Sequence, residues 1–403
     1  MRLADRPRYL DWLRRWTGHP LVKVVTGVRR SGKSTLLAMF QAELVANGVE
    51  PSRIMAFNLE DPDTEAELRD GLALYHKVQT GLAHQKTTYV FVDEAQHLEQ
   101  LERTVAGLAL LDGVELFVTG SNSGFLSRDL ATRLTGRYVE LNVLPLSFAE
   151  LAGQAQAASP AEAFERYLMF GGFPYVERLG TDEAMIREYL NSVIDAVLLK
   201  DVAPRQRSVN TAVLDSVADF MFDNIGNPAS IKRISDTLTS AGRKIGRATV
   251  ETYVDSLVGA YLLYPAHRYD IRGKARLSTN PKYYLVDPGL RRARLGSRNA
   301  DSGHLLENVV FLELLRRFDR VAVGKLDAAE VDFIAENSDG PHYFQVAANV
   351  DNPDTLAREL RPLATIPGFS PRTLLVGDHA GRATYDGIPR INVVDWLLAD
   401  QGT

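Results

Sequence analysis

Residues 27–34 read GVRRSGKS, which matches the phosphate-binding pattern G-x-x-x-x-G-K-[ST] in full. The mostly apolar run Leu21–Val25 predicts a buried strand before this loop, and Thr35–Leu44 predicts a helix after it. In such a context the glycines let successive backbone N–H groups point at phosphate oxygens, and the helix N-terminus adds its positive end. The spacing therefore predicts a site for the phosphates of a nucleotide.

The residue types in the loop predict ATP with Mg²⁺ as the ligand. Lys33 is expected to reach the β- and γ-phosphates, and the Ser34 hydroxyl is expected to coordinate Mg²⁺. The other residues predicted to contact the nucleotide are Gly27, Arg30, Ser31, Gly32 and Thr35.

An acidic pair follows a second apolar run. Asp93 and Glu94 come directly after Tyr89–Val92. Ligands of open α/β sheets bind at the carboxyl ends of strands, so Asp93 is expected beside the phosphate loop, holding Mg²⁺ through water. Glu94 is expected to act as the general base that polarises the attacking water. This pair favours hydrolysis over transfer to a small molecule.

A polar turn after the next strand predicts a contact with the γ-phosphate. The segment VTGSNS at 118–123 places Ser121 or Asn122 where a side chain can touch that phosphate and the attacking water. A simple Gly-Ser-Asn turn is the alternative interpretation.

The segment 126–138, LSRDLATRLTGRY, predicts a helix that ends at Gly136 and is followed by a strand. Arg137 is the first choice, and Arg133 the second, for an arginine finger that reaches the nucleotide of a neighbouring subunit. The alternative is a cation that complements the dipole of the helix.

The bulk composition is that of a globular protein with several domains. The chain has 403 residues, of which 45% are hydrophobic and 24% charged. It has no cysteine, which excludes disulfides and thiolate metal sites. No apolar stretch approaches the roughly 20 residues that span a bilayer, and no signal peptide is recognisable, so we expect a cytosolic protein without a membrane partner. The net charge is −5, but residues 231–294 hold thirteen Lys or Arg and five Asp or Glu.

These motifs resemble those of a large family of bacterial and archaeal AAA-type ATPases that carry a C-terminal domain of unknown function. The resemblance covers nearly the whole chain. It rests on TGVRRSGKSTLL at 26–37, VFVDEAQHL at 90–98, VTGS at 118–121, LTGRYVEL at 134–141, LPLSFAEL at 144–151, FGGFP at 170–174, YYLVDPGL at 283–290, HLLENVVFLEL at 304–314 and YFQVA at 343–347.

The resemblance implies a small helical lid after the ATPase core, marked by Gly171, Gly172 and Pro174. It also implies a basic residue of the lid that senses the nucleotide, for which Arg187 and Arg178 are candidates. ATPases of this type act as rings, so a homo-oligomer, with a hexamer as the first choice, is expected.

The middle of the chain predicts a winged helix. An amphipathic helix at 211–222 is followed by a short helix that Ser230 caps, by a loop and by a longer helix at 248–263. Residues 262–286 then predict two strands around a Gly-Lys hairpin. The cations predicted to contact duplex or branched DNA are Arg243, Lys244, Arg247, Arg268, Arg272, Lys274 and Arg276. Docking of a protein is the alternative use of such a module.

The C-terminal part resembles a PD-(D/E)XK nuclease that has lost key groups. Glu307 on a helix and Asp332 on a strand match the acids of that site, but Gln345 stands where a second strand acid is expected. The same strand lacks the lysine, and Lys325 is a substitute that nothing in the sequence positions. We therefore expect a degenerate site with no strong cleavage activity.

The predicted fold class is α/β. A P-loop NTPase of the AAA type with a parallel sheet and a helical lid is followed by a winged helix and a degenerate restriction-endonuclease-like α/β domain. The strands predicted for the sheet, besides the one before the loop, are 53–59, 88–92, 114–119 and 138–144. The predicted boundaries are 1–150 for the core, 151–208 for the lid, 209–295 for the winged helix and 296–403 for the nuclease-like domain.

The predicted function is that of a DNA-binding ATPase, in which hydrolysis drives a ring that remodels duplex or branched DNA, for example by migrating Holliday junctions. A nucleotide-controlled switch that docks a protein is the second interpretation. An ATP-dependent nuclease is the third.

Overall fold

The computed structural model describes residues 4–83, 86–122, 134, 136–153, 159–203, 210–277, 280–296, 302–327, 329–378 and 381–399. The chain divides into two units, Met1–Pro145 with Gly259–Tyr261, and Leu146–Val258 with Leu262–Thr403. Among the described residues, no helix has the length and apolar character that crossing a bilayer requires. Arg133 and most of the predicted helix at 126–138 lie outside the described residues.

The first unit is built on a parallel sheet. Its strands are β1 (Val22–Thr26), β2 (Ile54–Asn58), β3 (Thr88–Asp93), β4 (Val114–Gly120) and β5 (Tyr138–Asn142). They pair in the order β2-β3-β4-β1-β5, and every neighbouring pair is parallel. The prediction of a parallel α/β sheet is therefore confirmed.

The α-helices that the described residues of this unit form are α1 (Pro7–Trp16), α2 (Lys33–Ala46), α3 (Pro62–Leu68), α4 (Gly71–Thr80) and α5 (Leu101–Leu108). The buried ring of Phe40 on α2 lies 5.5 Å from that of Phe117 on β4, which stacks at 4.7 Å on Phe91 of β3. Aromatic pairs of this kind bury a large apolar area and fix orientation. The cluster therefore holds α2, and the loop before it, against β3 and β4.

The register of the sheet sets three strand ends at one level. Val118 pairs with Val92 on one side and with Val24 on the other, so the next residues, Asp93, Thr119 and Val25, are level with one another. β4 thus lies between the strand of the acidic pair and the strand of the phosphate loop. The residue level with Asp93 on the neighbouring strand β4 is therefore Thr119. The phosphate loop follows β1, the strand on the other side of β4.

The second unit combines helices with two sheets. Its helices are α6 (Phe148–Ala152), α7 (Pro160–Phe170), α8 (Glu183–Val197), α9 (Thr211–Asp223), α10 (Ile231–Ser240), α11 (Arg247–Gly259), α12 (Pro288–Leu295), α13 (Ser302–Arg317), α14 (Pro353–Ala364) and α15 (Val393–Leu398). Its strands are β6 (Leu263–Ala266), β7 (Arg268–Asp270), β8 (Ala275–Arg276), β9 (Lys282–Leu285), β10 (Arg320–Leu326), β11 (Ala329–Asn337), β12 (Gly340–Ala347), β13 (Arg372–Val376), β14 (Ala383–Tyr385) and β15 (Ile388–Asn392).

The helices at 211–259 follow the predicted pattern, but the strands after them are arranged differently. Ser230 accepts a hydrogen bond from the backbone N–H of Arg233 and caps α10, as its sequence predicts. β6 pairs with β9 as a two-stranded antiparallel sheet. The Gly-Lys hairpin joins β7 to β8 and belongs instead to an eight-stranded sheet of order β14-β15-β13-β12-β11-β10-β7-β8. The reason is that β7 pairs in parallel with β10. The name winged helix stays a prediction.

A buried carboxylate joins two of the glycine-containing motifs in the second unit. Asp287, 1% exposed, accepts hydrogen bonds from the backbone N–H groups of Gly172 at 2.6 Å and Gly289 at 2.9 Å. Gly171 has φ +72°, and a Cβ there would collide with the Asp287 carboxylate. Burial raises the pKa of Asp287 to about 7, although the N–H donors oppose this rise.

Replacement of Asp287 by Asn tests this link through pH. The folded protein holds the Asp287 proton more tightly than the unfolded chain does. The stability that this proton provides is therefore present at low pH and lost as pH rises towards about 7. The free energy of unfolding of the native protein relative to Asp287→Asn should accordingly fall by about 4 kcal/mol between pH 4 and 8. Urea unfolding measures it, and the exposed Asp339→Asn should show no such trend. A constant difference would contradict the assignment.

Candidate nucleotide-binding site

The loop before α2 has the backbone that a phosphate cradle requires. Gly27 has φ +138°, and a Cβ at this position would collide with the backbone carbonyl of Val143. Gly32 adopts the left-handed conformation immediately before α2, and no side chain caps this helix. The N-terminal N–H groups of α2 are therefore not taken by a capping side chain. Such a helix end attracts an anion.

Lys33 is held at the cradle by carbonyls and by one acid. Its Nζ donates to the backbone oxygens of Gly27 at 3.1 Å and Val28 at 3.3 Å, and it lies 3.7 Å from Oε1 of Glu94. The side chain is only 4% exposed. The structure thus brings the predicted phosphate-binding cation and the predicted general base together, although 61 positions separate them in the sequence.

The remaining loop residues differ in exposure. Ser34, Thr35 and Arg30 are exposed, and Arg30 has φ +65°. Ser31 is fully buried, and its hydroxyl has no hydrogen-bond partner within the described part of the chain. A buried hydroxyl without a partner costs stability, so it is a group that a bound ligand can satisfy.

Thr119 links the acidic pair to β4. Its hydroxyl donates to Oδ1 of Asp93 and accepts the backbone N–H of Glu94 at 2.9 Å. One hydroxyl therefore orients both acids. Sequence reasoning missed this residue, because it chose the polar side chains two and three positions later. A threonine at the end of the apolar strand β4 is the signal that would have indicated it, because β4 lies between β1 and β3.

The side chain of Glu94 is held in place from several directions. It is 7% exposed, with a left-handed backbone at φ +52°. The amide of Gln96 donates both to its carboxylate and, at 3.2 Å, to the hydroxyl of Ser121. Burial raises the pKa of Glu94, but Lys33, Gln96 and nearby cations outweigh burial and lower it. The carboxylate is thus kept ionised, as a base requires. Asn122 is half-buried at the same turn.

The two groups predicted to hold Mg²⁺ fit that ion. Asp93 offers a carboxylate oriented by Thr119, and Ser34 offers an exposed hydroxyl at the start of α2. Within the described ranges, no three His, Asp or Glu side chains converge as metal ligands. Magnesium in nucleotide sites uses few protein oxygens together with phosphates and water, which agrees with so small a set.

Within the described residues, the arginines predicted as an arginine finger or as a sensor of the lid are exposed. Arg137 lies just before β5, where its backbone carbonyl accepts the N–H of Val22 at 2.9 Å. Its side chain is therefore on the surface of the first unit, as reaching a neighbour requires. In the second unit, Arg178 and Arg187 are also exposed.

The cations predicted to contact DNA fall into two groups. Arg243 and Lys244, between α10 and α11, and Arg247, the first residue of α11, are exposed, and Arg243 also donates to the backbone carbonyl of Ala212. Those near the hairpin are partly engaged elsewhere, because Arg268 lies 2.5 Å from Glu330 and Arg272 lies 2.8 Å from Asp327. The remaining hairpin cations, Lys274 and Arg276, are exposed.

In the predicted degenerate nuclease site, Asp332 and Gln345 are buried and Glu307 is half-buried. Asp332 accepts the backbone N–H of Val346 at 2.8 Å, and the Gln345 carbonyl accepts the N–H of Asp332 at 3.4 Å. The Gln345 amide donates to Glu359 of α14 at 3.0 Å. Burial and the charge of Glu307 raise the pKa of Asp332. The side-chain amide of Gln345 thus joins the backbone of Asp332 to the carboxylate of Glu359.

The structure supplies this cluster with a lysine from another strand. Lys282 on β9, 5% exposed, lies 2.8 Å from Glu330 and 3.7 Å from Glu307, which also accepts from the hydroxyl of Tyr284. Burial lowers the pKa of Lys282, but the surrounding acids outweigh burial and raise it. The substitute considered from sequence, Lys325, is exposed. Lys282 is therefore an internal counter-charge that the sequence did not indicate.

Replacement of Thr119 by Val removes the hydroxyl but keeps the shape. We expect ATP hydrolysis to fall by about 10- to 100-fold, because Asp93 and Glu94 lose their common orienting group, while ADP affinity changes little. Steady-state hydrolysis and titration calorimetry measure the two effects. The matched control is Thr104→Val on α5, which removes another buried threonine hydroxyl, one that donates to the backbone carbonyl of Gln100. A larger loss for the control would refute the role given to Thr119.

Replacement of Lys282 by Met leaves buried acids without a counter-charge. Their pKa values should rise further, so the folded protein should lose stability as pH rises through those values. We expect a loss of about 3 kcal/mol at pH 8 and a clearly smaller one at pH 5. Urea unfolding at the two pH values measures it, with the exposed Lys325→Met as control. Equal losses at both pH values would contradict the account.

Comparison with known sequences identifies the first unit. A family model described as an AAA domain matches residues 19–152, and one described as a domain of unknown function, DUF8612, matches residues 161–301. An uncharacterized protein of Haemophilus influenzae is 37% identical over 401 residues, which are 98% of this chain and 99% of that protein. A second uncharacterized protein, from Methanocaldococcus jannaschii, is 28% identical over 73% of this chain and 67% of its own length.

Solved structures that match this chain in part include a Walker-type ATPase of Pyrococcus abyssi. It is 17% identical, with a TM-score of 0.48, over 72% of this chain and 96% of that one. The Aeropyrum pernix Orc1 protein, solved in complex with DNA, is 13% identical, with a TM-score of 0.33, over 73% and 92%. Since the first of the two sequence relatives matches over almost its whole length, the chain belongs to the family of this Haemophilus influenzae protein, and its residues 19–152 form an AAA domain.

Proposed function

We propose that the protein is an ATPase and that ATP hydrolysis controls its binding to DNA. The proposed ATPase activity rests on one observation: Lys33, Glu94 and Asp93 meet at one edge of the parallel sheet. Thr119 joins the two acids there. A cation for phosphate, an ionised base and a carboxylate for Mg²⁺ are the groups that phosphoryl transfer to water requires.

Each residue has a definite task in this proposal. Lys33 exchanges its two carbonyl partners for phosphate oxygens, and the N–H groups of the loop bind the remaining oxygens. Ser34 and Asp93 hold Mg²⁺, which neutralises charge on the phosphates when bound. Glu94 orients the attacking water and accepts its proton. Gln96 and Lys33 are the side chains that orient this carboxylate.

The DNA-binding half of the proposal rests on charge. Arg243 and Lys244 in the turn after α10 and Arg247 at the start of α11 are exposed cations within five residues of one another. Such cations neutralise backbone phosphates and give affinity that depends strongly on salt but little on base sequence. Lys274 and Arg276 of the β7–β8 hairpin are further exposed cations proposed to contact DNA. Duplex or branched DNA, such as a junction, is the proposed partner for a module with winged-helix character.

Assembly into a ring completes the proposal. The exposed Arg137 is proposed as the arginine finger of a neighbouring nucleotide site, with a hexamer as the proposed assembly. A subunit alone would then bind nucleotide but hydrolyse it slowly.

A nucleotide-controlled switch that docks a protein is the second candidate. The observation that favours it is the pairing of Arg268 with Glu330 and of Arg272 with Asp327, which removes two hairpin cations from a DNA-facing surface. Nuclease activity is the weakest candidate, because Lys282 already neutralises the acids that a catalytic metal would need.

The rate of phosphate release with and without DNA tests the proposal. We expect the native protein to hydrolyse ATP and to be accelerated several-fold by duplex or junction DNA at low salt. Lys33→Ala should abolish hydrolysis, and Glu94→Gln should bind ATP and DNA without turnover. The mass of the assembly should rise when ATP is added to Glu94→Gln.

Three outcomes separate the candidates. Hydrolysis that no DNA form changes at low salt would favour the switch. Cutting of supercoiled DNA with Mn²⁺ that Asp332→Ala abolishes would establish a nuclease. Unchanged turnover in Lys33→Ala would refute the site itself.

A further inference from the structure

A buried arginine from the N-terminal segment reaches the phosphate loop from outside it. Arg6 is 3% exposed, and one guanidinium nitrogen donates to the carbonyl oxygen of Ser31 at 3.1 Å. The other donates to the carbonyl oxygen of Leu144, just beyond β5, at 2.8 Å. A planar guanidinium is suited to bonding two acceptors at fixed positions. It therefore ties a residue inside the loop to the end of a sheet strand.

Arg6 is itself fixed by its neighbours. Its guanidinium lies 4.3 Å from the centre of the Tyr9 ring, and the Tyr9 hydroxyl accepts the backbone N–H of Leu144 at 3.3 Å. The backbone carbonyl of Arg6 begins helix α1 by accepting the N–H groups of Tyr9 and Leu10. Both polar backbone groups of Leu144 are thus used by this one turn of chain. The arrangement is rigid, because each member contacts at least two others.

Because the peptide bond is planar, the contact between Arg6 and the Ser31 carbonyl also fixes the direction of the next N–H group in the loop. The carbonyl of Ser31 and the N–H of Gly32 belong to one trans peptide unit, so they point in opposite directions. When Arg6 holds the Ser31 oxygen, the Gly32 N–H is directed away from Arg6. The cation also polarises the peptide and makes that N–H a stronger donor.

We propose that Arg6 is a positioning residue of the nucleotide site, which orients the Ser31–Gly32 peptide so that its N–H group binds a phosphate of ADP or ATP. This inference rests on the proposed nucleotide function, but it concerns binding and does not require hydrolysis. Arg6 touches neither the nucleotide nor the attacking water. Its contribution is present with ADP and with ATP, because both bring a phosphate to the loop.

The test compares Arg6→Ala with a matched variant on the same helix. We expect Arg6→Ala to weaken ADP binding about tenfold and to raise KM for ATP by a similar factor, with kcat changed by less than about threefold. The control is Arg14→Ala, which removes exposed ion pairs of α1 with Glu43 and Asp11 and has no contact with the loop. It should loosen α1 but leave ADP affinity and KM unchanged.

A conservative variant tests the same idea if Arg6→Ala fails to fold. Arg6→Lys keeps the charge, but a single ammonium cannot bond both carbonyls in the fork geometry, so its ADP affinity should lie between those of the native protein and Arg6→Ala. Titration calorimetry with ADP and thermal unfolding without nucleotide measure binding and stability separately. Native ADP affinity in Arg6→Ala or in Arg6→Lys would overturn the proposal and leave Arg6 a purely structural residue. Failure of the ATPase proposal would be recognised differently, by ADP binding without any phosphate release in the native protein.

Discussion

The hydroxyl of Thr119 is the interaction on which the candidate site depends. It bonds the carboxylate of Asp93 and the backbone N–H of Glu94, so the proposed metal ligand and the proposed base share one fixed point. This is possible only because β4 lies between β3 and β1 and because its register sets Thr119 level with Asp93. A shift by one residue would turn the hydroxyl to the other face of the sheet. The strand order and register of the sheet are therefore part of the proposed catalytic arrangement.

The loop must be held against this fixed edge, and packing and polar contacts share that task. The buried rings of Phe40, Phe91 and Phe117 hold α2 on the sheet through close ring contacts. On the other side of the loop, Gly27 passes so close to Val143 that no side chain fits, and Arg6 bonds the carbonyl of Ser31. Local unfolding of any of these contacts would let the loop relax. The site is thus rigid through non-local contacts.

The sequence predicts features that depend on residues close together in the chain, and it does not predict contacts between residues that are far apart in it. The phosphate loop, the acidic pair and the strands around them follow from composition and spacing over a few residues, and the parallel sheet follows from their alternation with helices. Thr119 was missed because its importance comes from the strand order, which no local pattern contains. Arg6 and Lys282 act on groups that lie 25 or more positions away, and a single arginine or lysine carries no signal of its own. The pairing of β7 with β10 is equally non-local, and no pattern around the β7–β8 hairpin predicts it.

The central claim is that the edge of this sheet binds Mg²⁺ together with a nucleotide, and electron paramagnetic resonance with Mn²⁺ in place of Mg²⁺ tests it most directly. Because Asp93 and Ser34 are too few to hold the ion alone, the account predicts bound Mn²⁺ only when ADP or ATP is present. It also predicts that this bound signal is lost in Ser34→Ala. Mn²⁺ bound equally well without nucleotide, or no bound Mn²⁺ with nucleotide, would contradict the account.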